Sequence, residues 1–193
     1  MGSTPPQIHS KTREVSTVAE LGDEAMELLR PELHPLDFVD LLMQKALFPD
    51  AVRFIAHALP KREAVWWAWV CARRSAGENP QPKIKAALAA TEKWIAQPDE
   101  SNRRLAMAAA EKAELSTAAG CAGLAAFFSG GSIAPPNAAA VPPGEFLTAK
   151  AVSAAVIFAA VAREPEKAPE KFRSFVAQGI EVTNRVKLWE AKA

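Results

Sequence analysis

The chain has 193 residues and a mass of 20.7 kDa, enough to bury a full hydrophobic core as one domain or two small ones. Its 23 Lys and Arg stand against 22 Asp and Glu, a formal net charge of +1. No global field therefore draws it to nucleic acid or to an anionic membrane, and any charge effect is local. About forty alanines, roughly a fifth of the residues, point to an all-α fold, because alanine loses no side-chain entropy in a helix. The two cysteines, Cys71 and Cys121, sit inside apolar runs and read as buried thiols of a reduced, cytoplasmic compartment.

The opening MGSTPPQIHSKTREVS has no apolar run of the signal-peptide kind and is expected to be a flexible tail over 1–14, with a single helical domain over 15–193. A first helix is expected from Thr17 to Leu29, stopping at Pro31. PLDFVDLLMQKALF then repeats Leu36, Val39, Leu42, Met43 and Ala46 at helical spacing. Pro49 and Asp50 open DAVRFIAHAL, with a stripe of Val52, Ile55, Ala56 and Leu59. Pro60 opens PKREAVWWAWVCARRSA, which Gly77 ends.

The loop GENPQP leads to KIKAALAATEKWIAQ, ended by Pro98. Asp99 or Ser101 caps the next helix, whose core-facing set reads as Leu105, Ala108, Ala109 and Leu115. AAGCAGLAAFF follows. The segment SGGSIAPPNAAAVPPGEF, 129–146, holds two Pro-Pro pairs and a Gly-Gly, which exclude regular structure. A helix from Glu145 or Thr148 to Ala162 and a last one, EKFRSFVAQGIEVTNRVKLWE, complete the chain. The expectation is a single compact bundle of eight to nine helices with a long Pro-rich connection and no strand. The longest apolar runs, 118–128 and 151–162, fall short of the ~18–20 residues a membrane span needs.

Three of the five tryptophans, Trp66, Trp67 and Trp69, cover an arc of roughly 160° on one helix, and apolar residues fill most of the rest. A helix apolar all round is usually central, so these indoles read first as core volume among alanines. A partner hot spot framed by Arg73 and Arg74 is the rival reading. An aromatic platform for bases lacks the basic groove it would need.

SGGS lacks the lysine of a phosphate loop and reads as a helix end turning into the Pro-rich connection. His9, His34 and His57 have no ligand or triad partners at useful spacing, and His57 reads as a helix-surface residue. Neither a metal nor a cofactor is expected. Arg103 and Arg104 open a helix and read as a salt-bridged surface with Asp99 and Glu100. Segment 129–146 is either a staple across one face or a binding segment. The candidate partner contacts are thus Trp67, Arg73, Arg74, Ser129, Gly130, Gly131, Ile133, Pro135 and Pro136.

The stretches PKREAVWWAWVCARR, WIAQPDESNRRLAMAAAE, STAAGCAGLAAFFSGGSIAPP and VPPGEFLTAKAVSAAVIFAAV resemble a bacterial family of helical proteins of unknown function, over about residues 60–161. Some members of that family are encoded near type VI secretion genes. The resemblance implies an accessory or partner-binding role and brings no activity, cofactor or catalytic residue. The chain is accordingly expected to be a non-enzymatic, cytoplasmic interaction or accessory protein. A small-ligand or peptide binder with a Trp-lined pocket is the alternative.

Overall fold

Proline and short polar caps set most of the helix boundaries. The structure, a computed structural model, describes residues 7–30 and 32–190. Among them are ten α-helices: α1 Gln7–Val18, α2 Asp23–Glu27, α3 Pro35–Gln44, α4 Phe48–Ala58, α5 Lys61–Ala76, α6 Pro82–Ala96, α7 Glu100–Ala113, α8 Ala118–Phe127, α9 Leu147–Val161 and α10 Ala168–Arg185. Side chains close several N-termini: Asp99 accepts from the Asn102 N–H at 2.7 Å and Thr117 from the Gly120 N–H at 3.0 Å. No strand occurs among the described residues, and the chain is an all-α bundle. None of these helices is long and apolar enough to cross a membrane.

The α5 helix runs through the middle, packed on α8 and α9 with α6 and α10 on its flanks. Trp67 is fully buried, and its indole N–H donates to the Phe175 carbonyl of α10 at 2.9 Å. Trp69 donates likewise to the Leu88 carbonyl of α6 at 2.9 Å. Each indole thus buries a large apolar surface and leaves no polar hydrogen unmatched. The α10 helix comes this close only because it presents Gly179, where a Cβ would stand 2.9 Å from the Trp67 ring. Trp66 is only half-buried, and the Arg185 guanidinium covers its ring at 5.3 Å. Cys71 and Cys121 are buried and unbridged, and burial pushes both thiols up, Cys121 to about 11.

Contacts at the helix ends fix the directions. Arg62 at the start of α5 donates to the Ile95 carbonyl at the end of α6 at 2.9 Å, and Lys83 at the start of α6 pairs with Glu114 beyond the end of α7. Arg163, past the end of α9, donates to the Ser75 and Ala76 carbonyls at the end of α5. So α5 and α9 run parallel, with α6 antiparallel to both α5 and α7. One end of the bundle gathers the starts of α5, α7 and α9.

Two regions depart from expectation. Helix begins at Gln7, inside the stretch expected as a flexible tail over 1–14; residues 1–6 lie outside the described residues. The α1 helix buries hydroxyls in place of a greasy stripe: Thr12 and Ser16 are both sealed, and Thr12 donates to the Leu33 carbonyl at 2.8 Å. The single helix expected from Thr17 to Leu29 is broken around Glu20, which sits at a φ of 52°; its expected stop at Pro31 lies outside the described residues. Secondly, α7 turns a different face inward. Ala106, Ala110 and Ala113 are buried, whereas Leu105 is 51% exposed and Leu115 40% exposed. Alanine is the smaller side chain, and the smaller one lets α6 and α8 approach.

Replacing Trp67 by Ala is expected to cost about 3–5 kcal/mol, the usual range for a large buried aromatic. Gly179→Ala is expected to cost about 1–3 kcal/mol, because the added methyl collides with a ring that cannot swing away. Urea unfolding of the two variants measures both.

Candidate interaction surface

Residues 129–146 join α8 to α9 at the end of the bundle where α7 begins, and α7 supplies what holds them. Arg103, in its first turn, is 3% exposed. Its guanidinium grips Glu100 with two nitrogens, at 2.7 and 2.8 Å, and donates also to the Phe127 carbonyl at 2.5 Å and the Ser132 carbonyl at 2.8 Å. It also lies over the Phe127 ring at 4.6 Å. Arg104 shares the Glu100 carboxylate at 2.6 Å and reaches the Ser132 and Ala134 carbonyls at 3.2 and 3.1 Å. Two cations at a helix start oppose the helix dipole, and the Glu100 charge between them offsets that. Hydrogen bonds from Arg103, then Arg104, hold the Glu100 carboxyl down at about 2.

Gly131 lets the chain pass over this clasp. Its φ is 65°, and a Cβ there would stand 2.8 Å from a Glu100 oxygen and 2.9 Å from an Arg103 nitrogen. A second set of bonds closes the loop beyond it. The Ser132 hydroxyl oxygen accepts from the Ala134 and Val141 N–H groups at 3.1 and 3.0 Å, and the Ile133 N–H donates to the Val141 carbonyl at 2.8 Å. At the tip, the Ala138 N–H donates to the Pro135 carbonyl at 3.0 Å. The outcome is an ordered loop standing off the body. Ile133 is 37% exposed and Val141 46% exposed, and Pro135, Pro136 and residues 137–140 are exposed as well.

Of the residues expected to contact a partner, the structure brings Ser129, Gly130, Gly131, Ile133, Pro135 and Pro136 together in this loop and its base. Ser129 is half-buried and donates to the Ala126 carbonyl at 2.7 Å, which ends α8. Trp67 is not among the surface groups: its ring is sealed against α10 and offers no exposed surface. Arg73 and Arg74 are exposed but diverge, being successive positions about 100° apart. Arg73 lies over Trp69 at 5.3 Å and lines a cleft of about 570 Å³ with Lys85, Leu88 and Glu92. Arg74 lies over Phe175 at 5.8 Å and lines a separate hollow. Both sit at the end of α5 away from the loop, so the two expected contact regions do not form one surface.

The clasp beneath the loop is not legible in the sequence, where Arg103 and Arg104 read as a charged surface with Asp99 and Glu100 as partners. Only Glu100 of the two pairs with them, and Asp99 caps the helix. The available signal was two arginines in a first turn, where cations are disfavoured unless something binds them. His57, expected on a helix surface, is half-buried. Its Nδ1 lies 2.8 Å from the Arg53 carbonyl, its Nε2 is buried without a partner, and burial lowers its pKa.

Arg103→Met is expected to release the loop, raising hydrogen exchange at the Ile133 and Val141 amides about tenfold or more while the α5 amides keep their protection. Acid acts on the same clasp. The Glu100 carboxyl titrates at about 2 when folded against 4.5 ordinarily, so its contribution is whole above about 4.5 and disappears as pH falls towards 2. Loop protection, read by exchange NMR, follows that window in the wild type and loses its dependence across it in the double variant Arg103→Met/Arg104→Met.

No curated protein and no solved structure shows significant similarity to the chain. A family model described as a family of unknown function, DUF6931, matches residues 38–183, from within α3 to within α10, and so spans α5, the Arg103 clasp and the whole loop. The chain therefore belongs to the DUF6931 family, whose function is unknown.

Proposed function

We propose that the protein is a non-enzymatic interaction or accessory protein of the cytoplasm, and that the clasped loop 132–141 is its partner contact. One observation carries this reading: two large aliphatic side chains, Ile133 and Val141, stand exposed on a backbone already fixed by hydrogen bonds at both ends. A loop ordered before binding avoids most of the entropy that docking would otherwise cost. Proline and alanine between them leave few rotamers to freeze. The resemblance of residues 60–161 to a family some of whose members are encoded near type VI secretion genes is what suggests placing that accessory role beside a secretion system.

A second reading, a small-ligand or peptide binder, has the Trp69–Arg73 cleft in its favour. An apolar floor of Trp69 and Leu88 beside the Arg73 and Lys85 cations suits a ligand with an apolar body and an anionic group.

Affinity capture with quantitative mass spectrometry separates the two. Ile133→Asp combined with Val141→Asp is expected to lose, at least about tenfold, a protein that the wild type and Arg73→Ala both retain. Loss in Arg73→Ala alone would transfer the role to the cleft. If both variants retain every protein the wild type holds, the loop is not the contact.

A further inference from the structure

The α6 and α7 helices form the outer layer of the bundle. Their inward faces, Leu88 and Trp94 of α6 and Ala106 and Ala110 of α7, are buried. The strip of outward surface between them is apolar too, which the core does not require. Between them runs a groove of about 440 Å³ floored by alanines of both helices and by Leu105, which is 51% exposed. Lys83, Lys93 and Lys112 stand around it, and no carboxylate lines it. Lys83 is paired with Glu114, whereas Lys93 and Lys112 are exposed and make no ion pair among the described residues.

The geometry points to a docking site for an amphipathic helix of a partner protein, with an apolar face flanked by Asp or Glu. An alanine floor lets a third helix come near the short end of the usual 8–10 Å interaxial range, and Leu105 supplies the one projecting side chain for its apolar face to enclose. The lysines at both ends of the groove choose the sign of the partner's flanks. A second copy using this same face is disfavoured by the same charges, since a two-fold axis would set lysines against lysines. This surface is independent of the loop 132–141.

The test uses full-length, isotope-labelled protein and two synthetic 16-residue helical peptides with the same Leu/Ala face, one flanked by Glu and the other by Lys. The Glu peptide is expected to shift the NMR signals of Ala89, Leu105 and Ala109. Its affinity should fall about tenfold or more in Lys93→Glu/Lys112→Glu and in Leu105→Glu, all at exposed positions, with far-UV circular dichroism checking that each variant stays folded. The Lys peptide should bind the charge-reversed variant in its stead, and Ile133→Asp/Val141→Asp should leave every shift unchanged. The inference is overturned if the two peptides bind wild type equally, if the Glu peptide shifts nothing or shifts another face, or if sedimentation shows a wild-type dimer that Leu105→Glu dissolves.

Discussion

Trp67 fills the centre of the bundle, and its neighbours yield to it. The α10 helix turns Gly179 and the Phe175 carbonyl towards the indole, so one ring fixes both how near that helix comes and at what register. The other helices against α5 are built of small side chains: α8 buries Ala122, Ala125 and Ala126, and α9 buries Ala155, Ala159 and Ala160. Close helix spacing and a single large ring are complementary, because small faces leave a space that only something of indole size fills to interior density. Substitution on either side of that match leaves a void or a clash.

The loop is ordered by a different kind of force. It buries little, and its proline-rich tip has no helix or sheet to lean on. Its order comes from a carboxylate holding two guanidiniums, which in turn satisfy carbonyls at the end of α8 and in the loop itself. A buried arginine is tolerable because every part of its fork finds an oxygen and its face finds the Phe127 ring. The bundle therefore has a packed interior governed by shape and one end governed by charge.

The boundaries of α3 to α10 were largely legible because proline, glycine and polar caps mark them, and the Trp helix was placed centrally because it is apolar all round. What escaped has physical reasons. The α1 helix buries Thr12 and Ser16, so it shows no apolar stripe. In α7 an inward alanine and an outward alanine look alike, and the only leucine in the helix, Leu105, suggested the wrong face. Arg103 paired three residues back with Glu100 reads the same whether it lies on a surface or, as here, beneath a loop. Trp67 reads in the sequence as a candidate contact because tryptophans are common at interfaces; only the approach of α10 decides that it is sealed.

Because Ser132 and Val141 are tied to each other and the clasp holds the chain at Ser132 and Ala134, the tip beyond Ala134 is set apart from the packing of the bundle. Residues 135–140 answer to no core packing, so their identity is left to drift or to selection for recognition alone, in the manner of variable loops on an antibody framework. The same separation makes this tip the natural place to graft a foreign epitope into the scaffold.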